Sequence, residues 1–86
     1  MSCRHVVLPD LGLGEAAIRA SVWLVRRGAA VEAGQPVLEV QAGSVVVDIH
    51  SPIDGVLTKK LVAEGKLLQA GQRLGVIEPR AAGARR

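Results

Sequence analysis

Few side chains in this sequence are of types that bind metal ions or act as nucleophiles. His5 and His50 are the only histidines, and Cys3 is the only cysteine. A protein zinc site takes three or four ligands, and no further cluster of ligands joins Cys3 and His5. Ser44 has no neighbouring base to activate its hydroxyl. The sequence therefore predicts neither a metal site nor a catalytic residue.

A glycine-rich segment, residues 12–17 (Gly-Leu-Gly-Glu-Ala-Ala), matches the pattern of dinucleotide-binding loops. In such loops a strand runs into the glycines, and a helix follows whose N-terminus binds the pyrophosphate. Here Pro9 interrupts the preceding strand, and the following residues alternate with period two rather than showing a helical period. The chain is also too short for a doubly wound sheet. We therefore interpret residues 12–17 as an ordinary loop.

The composition excludes several classes of protein. With 86 residues, 49% of them hydrophobic, the chain is expected to form one small domain. It has no apolar run of roughly 18 residues, so no transmembrane helix is expected, and a single cysteine forms no disulfide scaffold. Residues 1–5 lack the apolar region of a signal peptide. Together with the unpaired thiol, this predicts a cytoplasmic location.

The net charge of +3 is carried by the C-terminus. Residues 79–86 hold three of the eleven basic residues and none of the eight acidic ones, so residues 1–78 carry eight of each. We expect residues 1–78 to be the domain and residues 79–86 to be a disordered basic Ala/Arg tail. Without Phe or Tyr there is no aromatic platform for bases, so no nucleic acid is expected as a partner. Since no transmembrane helix is expected, no membrane is expected as a partner either. A basic nucleic-acid binder, the alternative, predicts salt-dependent DNA binding that is lost when residues 79–86 are deleted.

Valine-rich segments predict an all-β fold. The candidate strands are residues 5–8, 18–25, 37–41, 45–50, 56–62 and 73–77. In the second of them Ile18, Ala20, Val22 and Leu24 alternate with more polar residues, which predicts one buried face. Trp23, the only aromatic residue, falls on the opposite face. We expect its ring to cover a second small core between the two halves, the alternative being an exposed anchor for a partner.

The sequence contains an internal repeat. Residues 28–37 align with residues 65–74 at an offset of 37, and Ala33-Gly34-Gln35 matches Ala70-Gly71-Gln72. Two copies of one β unit, each with an apolar face, would bury those faces against each other. The repeat therefore predicts a sandwich or flattened barrel of two similar halves.

Several motifs together resemble the lipoyl domain of 2-oxo acid dehydrogenase acyltransferases. They are residues 8–12 (Leu-Pro-Asp-Leu-Gly), 23–28 (Trp-Leu-Val-Arg-Arg-Gly), 31–40, 51–56 (Ser-Pro-Ile-Asp-Gly-Val), 64–65, 71–72 and 76–78. The resemblance covers about residues 5 to 78. It implies two small antiparallel sheets related by a pseudo-twofold axis, a barrel-sandwich hybrid that biotinyl carrier domains and efflux-adaptor halves share.

The resemblance also implies an attachment hairpin, and there this sequence departs from the family. The family has Glu-Thr-Asp-Lys-Ala at the hairpin, and its lysine forms an amide with lipoate. The corresponding residues here are Gln41, Ala42, Gly43, Ser44 and Val45. Because a hydroxyl cannot form that amide, we expect a vestigial hairpin and no cofactor. The biotinyl Met-Lys-Met pattern is absent as well.

These observations predict a non-enzymatic lipoyl-like domain that acts as an interaction or assembly module, with protein partners in an acyl-transfer or 2-oxo acid dehydrogenase-type complex. One alternative is a working lipoyl or biotinyl carrier modified at another residue. Lys59, Lys60 and Lys66 are the only lysines, and we interpret them as solvated surface charges. A second alternative is a structural fragment like the efflux adaptors, although the long helical hairpin that those proteins insert between their halves is absent here.

Overall fold

Eight strands and no helix make up the computed structural model of the chain, which describes residues 3–14 and 16–80. The strands are β1 (Arg4–Val7), β2 (Ile18–Trp23), β3 (Ala30–Val31), β4 (Pro36–Ala42), β5 (Val45–His50), β6 (Gly55–Lys60), β7 (Leu67–Leu68) and β8 (Arg73–Pro79). All six predicted strands are present. The two-residue strands β3 and β7 were not predicted, because they are too short to show an alternating pattern.

The strands form two four-stranded antiparallel sheets, in the order β1-β8-β6-β3 and β5-β4-β2-β7. We call them sheet A and sheet B. The all-β prediction of two small antiparallel sheets is therefore confirmed. A core of aliphatic side chains lies between the sheets. Its largest side chains with less than 2% exposure are those of Val6, Leu8, Val31, Val37, Leu38, Val40, Leu57, Leu74 and Ile77.

The sequence repeat is a structural repeat. Adding 37 to the limits of β2, β3 and β4 gives those of β6, β7 and β8. The loop contacts follow the same rule, since the Gly28 N–H donates to the Leu57 carbonyl at 2.6 Å and the Gly65 N–H donates to the Ala20 carbonyl at 2.7 Å. Each half thus supplies strands to both sheets, and neither half has a separate core.

The two halves of the repeat share an irregularity in strand pairing at equivalent positions. The register of β2 against β4 shifts between Ala20 and Val22, and the register of β6 against β8 shifts between Leu57 and Lys59. A bulge places one extra residue in a strand and so reverses which later side chains face inward.

This bulge overturns the predicted buried face of β2. Val22 and Leu24 are exposed, whereas Trp23 is half-buried against the core. The Trp23 Nε1–H donates to the Val62 carbonyl at 3.0 Å, and Lys60 Nζ lies 5.3 Å from the ring centroid. The interpretation of Trp23 as a packing residue is confirmed, but its ring covers the single shared core. The prediction that buried and exposed residues alternate strictly along β2 was therefore wrong beyond Ala20.

Gly34 and Gly71, which are equivalent positions of the repeat, both adopt the left-handed backbone conformation. Gly34 has a φ of 86° and Gly71 a φ of 85°, and a Cβ on either would meet no atom within 4 Å. Because only backbone strain opposes a side chain there, we expect Gly34→Ala and Gly71→Ala each to lower the free energy of unfolding by about 1–2 kcal/mol. Urea denaturation measures the loss, with Ser44→Ala as a neutral surface control. Clearly unequal losses would contradict the equivalence of the halves.

Of the predicted C-terminal tail, residues 79–86, the structure describes only residues 79 and 80. β8 ends at Pro79, and residues 81–86 of the predicted tail lie outside the described residues. No helix in the part of the chain that the structure describes has the length and apolar character needed to cross a membrane.

Candidate functional site

The hairpin formed by β4 and β5 has a two-residue loop, Gly43–Ser44. The last pair before the loop is Ala42 opposite Val45, so the strands are paired up to the turn. Gly43 has a φ of 60°, and Ser44 has no positive φ. A positive φ at the first loop position alone is the pattern of a type II′ turn, which favours glycine there. The sequence thus builds a tight hairpin with residue 44 at its tip.

The five residues predicted for this hairpin have different environments. Ala42 is buried and faces the core, whereas Gln41, Gly43, Ser44 and Val45 are exposed. The Gln41 Nε2–H donates to the Gly43 carbonyl at 3.2 Å, which ties the side chain of one strand to the turn. The tip therefore presents a hydroxyl to solvent, and the described hairpin carries no lysine and no acidic residue beside residue 44.

A shallow, open depression lies beside the hairpin, lined by Ala17, Arg19, Gln41 and Gly43. Arg19 is opposite Gln41 in the β2–β4 pair, and its Nη1 donates to the Gly65 carbonyl at 3.0 Å. The sequence predicts that Arg19 lies in the second strand, but it does not bring Arg19 to the hairpin. Only the order of strands in sheet B makes β2 the neighbour of β4 and so places this cation there.

The glycine-rich loop leads into this depression and does not form a nucleotide site. The Gly12 N–H donates to Asp10 Oδ1 at 2.9 Å, which is a local turn contact. The next element after the loop is strand β2, and the described part of the chain offers no helix N-terminus to bind a pyrophosphate. This agrees with the interpretation of residues 12–17 as a loop; Glu15 lies outside the described residues.

The histidines and the cysteine are apart. His5 pairs with Val76 in sheet A, and His50 pairs with Pro36 in sheet B. Cys3 is exposed and unpaired. Among the described residues, no three side chains of His, Cys, Asp or Glu are close enough together to hold a metal ion.

The three lysines lie away from the hairpin tip. Lys59 and Lys60 are on β6, in the other sheet, and Lys66 precedes β7 at the far edge of sheet B. Lys60 is held over the Trp23 ring. None of the three lysines lies in a two-residue hairpin loop like the one that exposes Ser44.

Comparison with known proteins agrees with this geometry. The biotin/lipoyl family model, described as "Biotin-requiring enzyme", matches residues 4–77. The chain is 33% identical over 72 residues to the dihydrolipoyllysine-residue succinyltransferase component of the 2-oxoglutarate dehydrogenase complex of Bartonella vinsonii subsp. berkhoffii, covering 81% of this chain and 18% of that protein. It is 31% identical over 78 residues to the lipoamide acyltransferase component of the branched-chain alpha-keto acid dehydrogenase complex of Bacillus subtilis, covering 91% and 18%.

Solved structures show the same fold. The solution structure of the lipoyl domain of the 2-oxoglutarate dehydrogenase complex from Azotobacter vinelandii superposes with a TM-score of 0.67 at 22% identity, covering 87% of this chain and 99% of that domain. Urea carboxylase of Kluyveromyces lactis superposes with a TM-score of 0.76 at 22% identity, covering 91% of this chain and 6% of the enzyme. This chain spans less than a fifth of the length of the two curated relatives. Because the family model covers nearly all of both sheets, the chain belongs to the biotin/lipoyl domain family.

Proposed function

We propose that this chain is a non-enzymatic lipoyl-like domain without an acceptor lysine, and that it acts as an interaction or assembly module. One observation carries the proposal: Gly43 and Ser44 occupy the tip of the β4–β5 hairpin, where the family resemblance expects Asp and the modified Lys. A serine hydroxyl has no amine with which to form the lipoyl or biotinyl amide. The residues present at the tip therefore do not fit either cofactor.

The partner class follows from the relatives. The two curated relatives are components of 2-oxoglutarate and branched-chain keto acid dehydrogenase complexes. We propose that this chain associates with proteins of such an acyl-transfer complex in the cytoplasm, and that the basic tail following β8 is not part of the module. A carrier presents a substituent to other active sites and performs no catalysis itself. A domain without the substituent retains only its contacts with protein partners.

Co-expression with a lipoate ligase and a biotin ligase tests the absence of modification. We expect intact-mass spectrometry to show only the unmodified chain, while a lysine-bearing lipoyl domain expressed in the same cells is modified. The reason is that none of Lys59, Lys60 and Lys66 lies on a tight hairpin tip. A stoichiometric adduct on any of them would instead establish a working carrier modified at another residue.

Assembly is tested separately, with the purified decarboxylase and acyltransferase components of a 2-oxo acid dehydrogenase complex from the same organism. Sedimentation velocity should show the unmodified chain moving with at least one component. If it moves with none of them, the assembly role is wrong, whatever the modification state.

A further inference from the structure

The four edges of the two sheets differ in how they are protected from pairing with another chain. β3 and β7 are edges of only two residues, and β1 carries Arg4 and His5. β5 is an edge of six residues, Val-Val-Val-Asp-Ile-His, in which Asp48 and His50 are the only polar side chains and Pro, Lys and Arg are absent. Short length, Pro and charged side chains, Lys above all, are the usual means of protecting an edge. β5 is thus the longest of the described edges and, at residues 45–47, the least protected against strand addition.

The turn determines which backbone groups of β5 are free. In a two-residue hairpin the last pair, here Ala42 with Val45, exchanges both hydrogen bonds, and hydrogen-bonded and non-hydrogen-bonded pairs then alternate. Val45, Val47 and Ile49 therefore bond to β4. The N–H and C=O groups of Val46 and Asp48 point away from the sheet, and Val46 is 53% exposed.

We propose that β5 is a self-association edge at which two copies of this chain pair in antiparallel fashion and extend sheet B into eight strands. Residues opposite each other in such a pair must face the same side of the sheet. If the antiparallel pair were centred on Asp48, the Asp48 carboxylates of the two copies would lie opposite each other. Centring it on Val47 places Val45 opposite Ile49 and Val46 opposite Asp48, so apolar side chains meet and no like charges face each other.

Charge balance and edge length determine how strong the association is. Residues 1–78 carry eight basic and eight acidic residues, so two copies of the domain do not repel each other through net charge. Five paired residues form a small contact compared with the roughly 1,200–2,000 Å² buried in stable complexes. The dimer is therefore weak and in rapid exchange. It requires no cofactor, and so does not depend on the proposed function.

Sedimentation velocity across a hundredfold dilution series tests the proposal on the full chain. The weight-average mass of the wild type should rise towards twice the monomer mass at high concentration. In hydrogen exchange, the amides of Val46 and Asp48 should become at least severalfold slower at the high-concentration end, because they are bonded only in the dimer.

Charge variants at one exposed position test the register. Val46→Glu should abolish the concentration dependence by facing Asp48 of the second copy, whereas Val46→Lys should preserve or strengthen it by facing the same carboxylate. Leu67→Glu, at the opposite edge of sheet B and 58% exposed, is the matched control and should leave the mass unchanged. A wild type that stays monomeric, a dimer that survives Val46→Glu, or equal loss with Glu and Lys would each overturn the proposal.

Discussion

Changing Ser44 to Lys together with Gly43 to Asp should convert the domain from an unmodified chain into a lipoylation substrate. The reason is geometric. Residue 44 is exposed at a two-residue tip whose flanking strands are paired up to the turn, so a lysine there extends into solvent without disturbing the core. The Asp-Lys pair restores the charge and the amine that the family carries at this tip.

The two substitutions differ in their structural cost. Gly43 has a φ of 60° at the first position of a type II′ turn, where glycine is favoured, so Asp at this position costs about 1–2 kcal/mol of backbone strain. Ser44 needs no positive φ. We therefore expect Ser44→Lys alone to be folded and partly modified, and the double variant to be modified to near stoichiometry. Intact-mass spectrometry after co-expression with a lipoate ligase measures both.

Two control variants separate the effect of an amine that can be acylated from the effect of charge alone. Ser44→Arg supplies the same charge as lysine but no amine that can be acylated, and Gly43→Asp alone supplies only the acid; both should remain unmodified. If the double variant folds, as judged by its amide spectrum, and still gains no lipoyl mass, then the hairpin surface differs from a carrier's in more than its acceptor residue.

Leu57→Ala should destabilise the domain more than any substitution at the hairpin tip or at the glycine turns. Leu57 is fully buried, lies opposite Ile77 in sheet A and packs in the shared core. Removing a buried leucine side chain costs about 2–5 kcal/mol, a large part of the roughly 5–15 kcal/mol by which domains are stable. A chain of this size buries only about 60% of its unfolded surface, so we expect substantial unfolding at moderate urea concentrations.

Leu61→Ala provides the matched control for this prediction. Leu61 lies four residues further along the chain and is 47% exposed. Its truncation should change the free energy of unfolding by less than about 0.5 kcal/mol. Urea denaturation followed by tryptophan fluorescence measures both variants, because Trp23 packs against the same core. Similar losses for the two leucines would show that the core is not where the structure places it.

The repeat and the strands of four or more residues could be predicted from the sequence because their signals are local. Alternating valines identify the strands, and the shared Ala-Gly-Gln tripeptides identify the two halves. The exposure of Val22 and Leu24 could not be predicted this way. A bulge after Ala20 depends on how β2 pairs with β4, and that pairing reverses the alternation which the sequence alone implies.

The features of the candidate site likewise separate into those that the sequence determined and those that only the tertiary structure decided. Which residues stand at the hairpin, including the absence of a lysine at its tip, was determined by the sequence, because a two-residue turn is set by neighbouring residues. The position of Arg19 beside that tip, the contact of Lys60 with Trp23 and the open edge of β5 were decided only by the tertiary structure. Each of these three features depends on how the strands are ordered within and between the two sheets. That order arises because two apolar faces are buried in one core, and no local sequence pattern predicts it.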